Sequence, residues 1–139
     1  MQTKLTNVST GAVIELDDEM YPSDEHDWSS VVSNTKYALD GTMIVEQSVR
    51  QAGRPYTMRA PDDMGWLPRE TVNALKSERD KLGATFWLDY LADGAVKRVK
   101  VMFDTTGDAI TARPVKDFIS PSLDDLFIVT LRFLEIPNT

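Results

Sequence analysis

The sequence predicts an α+β fold built mainly on antiparallel sheet, with six to eight strands and one helix. Three observations lead to this prediction. The segment from Pro68 to about Lys81 has apolar residues at helical spacing. The segment after Gly83 alternates around Asp93-Gly94, which is typical of a β-hairpin. The final segment, Leu126 to Ile136, has apolar residues at alternate positions and indicates a buried strand.

Composition narrows the class of protein. The chain has 139 residues, which is ordinary for one domain, and its 42% apolar and 27% charged residues are typical of a globular protein. It has no cysteine, so disulfides and thiolate chemistry are excluded. The net charge of -7 argues against a nucleic-acid groove, because phosphate binding requires a basic surface. No apolar run approaches the roughly 18 residues of a membrane helix, and we expect no membrane contact.

The first 40 residues carry the weakest patterns. We expect residues 1–11 to form a polar N-terminal arm and residues 12–139 to form a single β-rich domain. Ala12 to Leu16 has the pattern of a short strand, and Asp17 to Asp27 that of an acidic surface loop. Trp28 to Leu39 is ambiguous, and its candidate core residues are Val31, Val32, Tyr37 and Leu39.

A first hairpin is predicted next. Asp40-Gly41 is a strong turn signal, because glycine reaches positive φ without penalty. Thr42 to Gln51 follows as the second strand of the pair. After the break at Gly53-Arg54-Pro55, Tyr56 to Arg59 resumes as a short extended segment.

The helix prediction rests on its ends as well as its spacing. Pro68 suits the first helical position, where its missing N–H has no cost, and Glu70 complements the helix dipole in the first turn. Gly83 supplies a left-handed stop. The narrow apolar stripe that we expect to face the sheet consists of Val72, Leu75 and Leu82.

After Gly83, the spacing of apolar residues changes from the 3.6-residue period of a helix to the two-residue period of a strand. Phe86, Leu88 and Tyr90 are expected on one face of a strand, and Val96 to Phe103 returns as its partner. Ala109 to Val115 has a strand pattern with Pro114, which suggests an edge. Lys116 to Asp125 is expected to be a loop. On the last strand, the residues predicted to share a face are Phe127, Val129, Leu131 and Phe133.

The sequence offers little for catalysis. The single histidine, His26, lies among acids in Asp24-Glu25-His26-Asp27, where consecutive loop residues point in different directions and a solvated loop is favoured over a metal site. No serine lies in a nucleophile elbow, no glycine-rich phosphate loop is present, and no two of the 22 acids stand out as a catalytic pair. We therefore predict no enzyme, no metal and no cofactor.

Aromatic residues leave an alternative open. Trp28, Trp66 and Trp87 could form a stacking platform for sugars, although packing in the core or at an interface is favoured for them. The alternative function is a carbohydrate- or peptide-binding β module that uses Trp87, Tyr90 and Trp28 as contacts. A small hydrolase is the third possibility, and it is disfavoured by the lone loop histidine.

The order of short motifs from Gly41 to Ile136 resembles a family of tailed-bacteriophage proteins. The motifs are Glu46-Gln47, Gly53-Arg54-Pro55, Gly65-Trp66-Leu67 opening a helix, Asp93-Gly94, Ala112-Arg113-Pro114-Val115 and the closing apolar strand. In this order they resemble the distal tail proteins of siphophages and related small rings at the tail tip or baseplate. The matching order spans roughly two-thirds of the chain.

The resemblance implies a tail-tube-like fold, a two-sheet sandwich or split barrel with one flanking helix. It further implies a virion structural protein that is made in the host bacterial cytoplasm. Six copies would form a ring at the distal end of the tail tube, joining the tail tube protein to the hub and tail-tip proteins. DNA would pass through the lumen without specific binding.

The uneven charge gives candidate residues for such a ring. An acidic stretch and a basic strand could pair copies head to tail, and the alternative is that both are solvated surface. The residues predicted at the subunit interface are Trp87, Lys97, Arg98, Lys100 and Arg113. The acids predicted to line the lumen are Asp17, Asp18, Glu19, Asp24, Glu25 and Asp27.

Overall fold

The computed structural model describes residues 3–24, 26–50, 53–61, 64–115 and 122–136. Within these residues lie one helix and eleven strands. In chain order the elements are β1 Lys4–Asn7, β2 Val13–Glu15, β3 Tyr21–Pro22, β4 Val31–Tyr37, β5 Met43–Val49, β6 Pro55–Arg59, β7 Leu67–Pro68, α1 Arg69–Arg79, β8 Phe86–Ala92, β9 Ala95–Phe103, β10 Ile110–Pro114 and β11 Leu126–Glu135. The prediction of a mainly antiparallel α+β fold with one helix is confirmed.

Nine of the strands form one antiparallel sheet in the order β2-β1-β8-β9-β11-β6-β3, and β7 and β10 also pair with β11. The ten-residue strand β11 is therefore central. On one side it pairs with β10 and then β9, and on the other side with β7 and then β6. The sheet is open and does not close into a barrel.

The core lies on one face of this sheet. Alternation along the strands places Phe86 and Leu88 of β8, Val101 of β9, and Leu131 and Phe133 of β11 in the core, each at most 1% exposed. The predicted alternation of β8 and β11 is confirmed. Helix α1 packs here through Val72 and Leu75. No helix in the described ranges is long and apolar enough to cross a membrane.

Two predictions near the core are wrong. Residues 4–7 of the expected N-terminal arm form β1, which lies inside the sheet between β2 and β8 and fully buries Leu5. Leu82, predicted on the buried stripe of the helix, lies beyond the last helical residue and is completely exposed. The helix instead buries Glu78 on that side, where it meets Asn7 of β1.

The acidic segment is less of a free loop than predicted. Leu16 and Met20 are fully buried and hold its first part against the core. Tyr21 and Pro22 then form β3 against β6. The remainder of the predicted loop is surface, apart from Glu25, which lies outside the described residues. Most of the predicted loop 116–125 is also outside them.

The predicted hairpin around Asp40-Gly41 is confirmed, but its expected core contacts are wrong. β4 and β5 pair over their full length, from Val31 opposite Val49 to Tyr37 opposite Met43. They form a separate two-stranded sheet, and all 14 of their residues are exposed. Tyr37 is 74% exposed, and Leu39 is fully exposed. We call residues 31–49 the projecting hairpin.

Candidate interaction surfaces

The projecting hairpin has two unlike faces. Residues directly opposite in an antiparallel pair share a face, so the register separates the side chains. The more polar face contains Asn34 opposite Glu46 and a Lys36–Glu46 ion pair of 3.4 Å, together with Ser48, Val32 and Ile44. The opposite face, which we call the apolar hairpin face, contains Val31, Ser33, Thr35, Tyr37, Met43, Val45, Gln47 and Val49.

The large side chains of the apolar hairpin face lie in solvent. Val45 is 46% exposed, Met43 54% and Val49 62%. Single exposed apolar residues are normal, whereas this face carries five, with the hydrogen-bonded pair Ser33 and Gln47 between Val31–Val49 and the other three. Because both strands also have an unpaired edge in this two-stranded sheet, the hairpin offers backbone as well as side-chain contacts to a partner.

At the base of the projecting hairpin, a backbone hydrogen bond closes the two strands, and two arginine side chains lie over the ring of Trp28. The backbone N–H of Arg50 donates to the carbonyl of Ser30 at 2.7 Å and closes the two strands. The guanidinium groups of Arg50 and Arg54 lie 5.7 and 6.0 Å from the ring centre of Trp28. Arg54 also lies 5.0 Å from the ring of the buried Tyr56. These contacts join the hairpin to the body of the protein at its root.

Three of the predicted interface residues come together on the outer face of β8 and β9. Trp87 lies opposite Lys100, and Asp89 lies opposite Arg98. The Arg98 guanidinium and the Lys100 ammonium lie 5.7 and 5.9 Å from the Trp87 ring centre. Arg98 donates from Nε and Nη2 to the two carboxylate oxygens of Asp89, at 2.8 and 3.0 Å. These hydrogen bonds and the carboxylate charge raise the pKa of Arg98.

The other two predicted interface residues lie elsewhere. Lys97 points to the opposite face of β9, and its Nζ contacts Asp93 of the hairpin turn at 2.8 Å. Hydrogen bonding and charge from Lys97 lower the pKa of Asp93. Arg113 lies on β10, opposite Ile128 of β11. No described contact joins it to the Trp87 group.

Three of the predicted lumen acids accept hydrogen bonds from nearby groups of the same chain. Asp18 accepts the backbone N–H of Thr3 at 2.9 Å, and Asp17 accepts that of Glu19 at 2.9 Å. Asp24 accepts both the backbone N–H and the hydroxyl of Thr57, at 3.0 and 3.1 Å. Asp18, Glu19 and Asp27 are exposed, and Asp17 and Asp24 are half-buried. Glu25 is not among the described residues.

The aromatic rings predicted as ligand contacts in the alternative binding module are mostly covered by other parts of the chain. Tyr90 is only 4% exposed, so it cannot serve as a stacking platform. Trp28 and Trp87 are half-buried, and each has two cationic side chains beside its ring. In the described part of the chain, no three Asp, Glu or His side chains group as metal ligands.

Sequence reasoning missed two features of these surfaces. Val31 and Tyr37 of the apolar hairpin face were predicted as core contacts, and its other apolar residues were not assigned to a face, although the pairing of the strands was predicted. Arg59 and Arg132 were not singled out, and together with Arg113 they line one cleft on the outer face of the large sheet. Strand alternation could have placed each arginine outward, but their convergence depends on the register of three strands. Comparison with known proteins returned no matching family model, curated protein or solved structure.

Proposed function

We propose that this chain is a structural subunit that assembles with copies of itself into a closed ring. We further propose that the ring is a hexamer at the distal end of a phage tail tube, joining the tube to the hub or tail tip. The observation that carries the assembly proposal is the apolar hairpin face, which is exposed over its full length. The resemblance in motif order supports the place of the ring in the particle.

The hairpin favours assembly over catalysis for an energetic reason. Burial of apolar surface contributes about 25 cal/mol per Å². Val31, Val45 and Val49 obtain only part of this contribution within the described chain, because the hairpin lies outside the nine-stranded sheet and they stay 45%, 46% and 62% exposed. Covering their face with another protein surface recovers it.

A ring requires the projecting hairpin to contact a different surface on the neighbouring copy. The projecting hairpin differs in shape and composition from the surface of the nine-stranded sheet, whose outer strands are β2 and β3. A contact between unlike surfaces is heterologous, and it closes into a ring when the rotation between copies divides a full turn. The exposed acids Asp18, Glu19 and Asp27 would face the lumen in this arrangement, where like charge keeps DNA from adhering.

The test is the size and shape of the concentrated protein. Sedimentation velocity should give a species of six chains, and negative-stain electron microscopy should show rings with a central channel. Val45→Asp places a charge on the apolar hairpin face and should shift the protein to monomer. Ser48→Asp places the same charge on the polar face of the same strand, opposite Val32, and should leave assembly intact.

The outcomes are separable from a folding defect. Neither Val45 nor Ser48 contacts the core, so both variants should keep the melting temperature of the wild type. A monomeric wild type at every concentration would count against self-assembly. Equal assembly of the two variants would show that the hairpin face is not the interface.

A further inference from the structure

A cleft of about 260 Å³ lies on the outer face of the large sheet, and its lining is cationic. It is formed where β6, β11 and β10 lie side by side. The lining residues are Ser23, Thr57, Arg59, Ala60, Thr111, Arg113, Ile128, Thr130 and Arg132. We call it the arginine cleft. The chain as a whole carries a net charge of -7, so this concentration of arginine is a local feature.

The register explains why these side chains converge. Arg132 of β11 lies directly opposite Thr57 of β6, and Thr130 lies opposite Thr111 of β10. Alternate residues of a strand share a face, so Arg59 accompanies Thr57 and Arg132 accompanies Thr130. The opposite faces of the same strands supply core residues such as Met58 and Leu131. The cleft is thus part of a rigid sheet.

Arg132 is held in a fixed position with donors to spare. Its Nη1 donates to the backbone carbonyl of Asp108 at 2.7 Å and to the hydroxyl of Thr111 at 2.9 Å. A guanidinium has five N–H donors, and these two contacts leave the Nε and Nη2 edge. That edge is the planar fork that binds two oxygens of a carboxylate or phosphate.

The Arg59 side chain is exposed and makes no hydrogen bond or ion pair within the described residues. None of the cleft's lining residues is acidic. The carboxylate of Asp24 lies beside the cleft residue Thr57 and is engaged by its backbone N–H and hydroxyl. Three guanidinium groups and no carboxylate line the cleft, so a bound anion would reduce the repulsion among the cations.

We propose that the arginine cleft binds a small oxyanion of the phosphate class, with Arg132 and Arg59 as charged donors and the hydroxyls of Thr130 and Thr111 as neutral donors. The cleft is smaller than the roughly 300–1,000 Å³ of sites for drug-sized ligands, so it suits a compact anion. The proposal is independent of the ring: it concerns a site within one chain.

The test is a titration of the full-length protein with inorganic phosphate at low ionic strength, followed by NMR. Saturable shifts are expected in the Nε–H signals of Arg59 and Arg132 and in the amides of Thr111 and Thr130. Arg59→Gln and Arg132→Gln should each weaken phosphate binding by about tenfold, because each removes a charged hydrogen-bond donor. Arg79→Gln removes the same charge from an arginine that pairs with Asp80 on the helix, and should change nothing.

Two further measurements complete the test. Arg132→Gln also removes the contacts to Asp108 and Thr111, so Arg59→Gln provides the readout if the first variant does not fold. A short DNA duplex distinguishes phosphodiester from free phosphate, and it should not bind. Duplex binding with a steep salt dependence would overturn the small-anion site in favour of a polyanion surface. Absence of saturable shifts, or unchanged shifts in Arg59→Gln, would also overturn it.

Discussion

The side-chain amide of Asn7 donates a 2.8 Å hydrogen bond to Oε2 of Glu78, 71 positions later in the chain. Both residues are buried, and the bond joins β1 to the last turn of α1. Lys81 donates to the other carboxylate oxygen at 2.9 Å, and the side-chain Oδ1 of Asn7 accepts the backbone N–H groups of Ser9 and Thr10. One polar network therefore fixes the N-terminal strand, the turn after it and the end of the helix.

Loss of the Asn7 amide should be costly. Asn7→Ala leaves the buried Glu78 carboxylate without one donor, and we expect the free energy of unfolding to fall by about 2 kcal/mol. Urea denaturation measures this change. The control is Asn73→Ala, at an exposed position of the helix that contains Glu78. Its free energy of unfolding should stay within about 0.5 kcal/mol of wild type. Equal effects of the two substitutions would contradict a structural role for the network.

The same carboxylate predicts a pH dependence. Burial alone raises the pKa of Glu78, but the hydrogen bonds from Lys81 and Asn7 outweigh it and hold the pKa below its ordinary value of 4.5. A lowered folded-state pKa means that the stabilisation is complete above 4.5 and is lost as the pH falls through the folded value. The stability difference between wild type and Glu78→Gln should therefore be constant near neutral pH and shrink in acid. A difference that does not vary with pH would contradict the assignment.

The Asp89–Arg98 pair on the outer sheet face is a second test of buried charge. Asp89 is only 3% exposed, whereas the Arg98 side chain is 54% exposed and partly screened by water. Arg98→Gln leaves a buried carboxylate without its bidentate partner, and we expect a loss of about 2 kcal/mol, below the usual range for a fully buried pair. Adding Asp89→Asn should recover part of it in a double-mutant cycle.

The control for this pair lies on the same strand. Lys97 contacts Asp93 at 2.8 Å, but both side chains are largely exposed. Lys97→Gln should leave the free energy of unfolding close to that of the wild type, because water screens the pair. If the two substitutions destabilise equally, burial of Asp89 is not the source of the effect.

Two glycines allow a matched test of close packing. Gly65 and Gly83 have nearly the same positive φ, +75° and +72°. A Cβ at Gly83 meets open space, whereas one at Gly65 would overlap the Cβ of Ala60. Gly83→Ala should cost about 1 kcal/mol from backbone strain. Gly65→Ala should cost about 2 kcal/mol more, because it adds the displacement of Ala60. Thermal and urea unfolding of the two variants measure the difference.

Local patterns predicted some elements because their causes are local. The hairpin at Asp93-Gly94 follows from a turn that both residues favour, with φ of 52° and 77°. The helix from Arg69 to Arg79 lies within the predicted range. Its C-terminal end comes earlier than predicted, because Leu82 lies beyond the last turn. Strand β1 could not be found this way. Its buried Asn7 is explained only by Glu78, a partner distant in sequence.

The interaction surfaces could not be predicted from the sequence, for a different reason. Apolar residues such as Val31 and Tyr37 were assigned to the core because most large apolar residues are buried, but that rule does not hold in reverse. The arginine cleft combines β6, β11 and β10, which lie apart in the sequence. A one-residue change in the register of any strand would turn its arginine toward the core side. Only the three-dimensional pairing brings Arg59 and Arg132 together.

Removal of the projecting hairpin should separate folding from assembly. Replacement of residues 31–49 by a short Gly-Ser linker keeps the base intact, because the Arg50 N–H still reaches the Ser30 carbonyl. The core contains no residue of β4 or β5, and neither strand pairs with the nine-stranded sheet. We therefore expect the shortened protein to unfold cooperatively near the wild-type melting temperature, yet to remain a monomer in sedimentation velocity. Loss of cooperative unfolding would mean that the hairpin stabilises its own chain, and retention of rings would place the interface elsewhere.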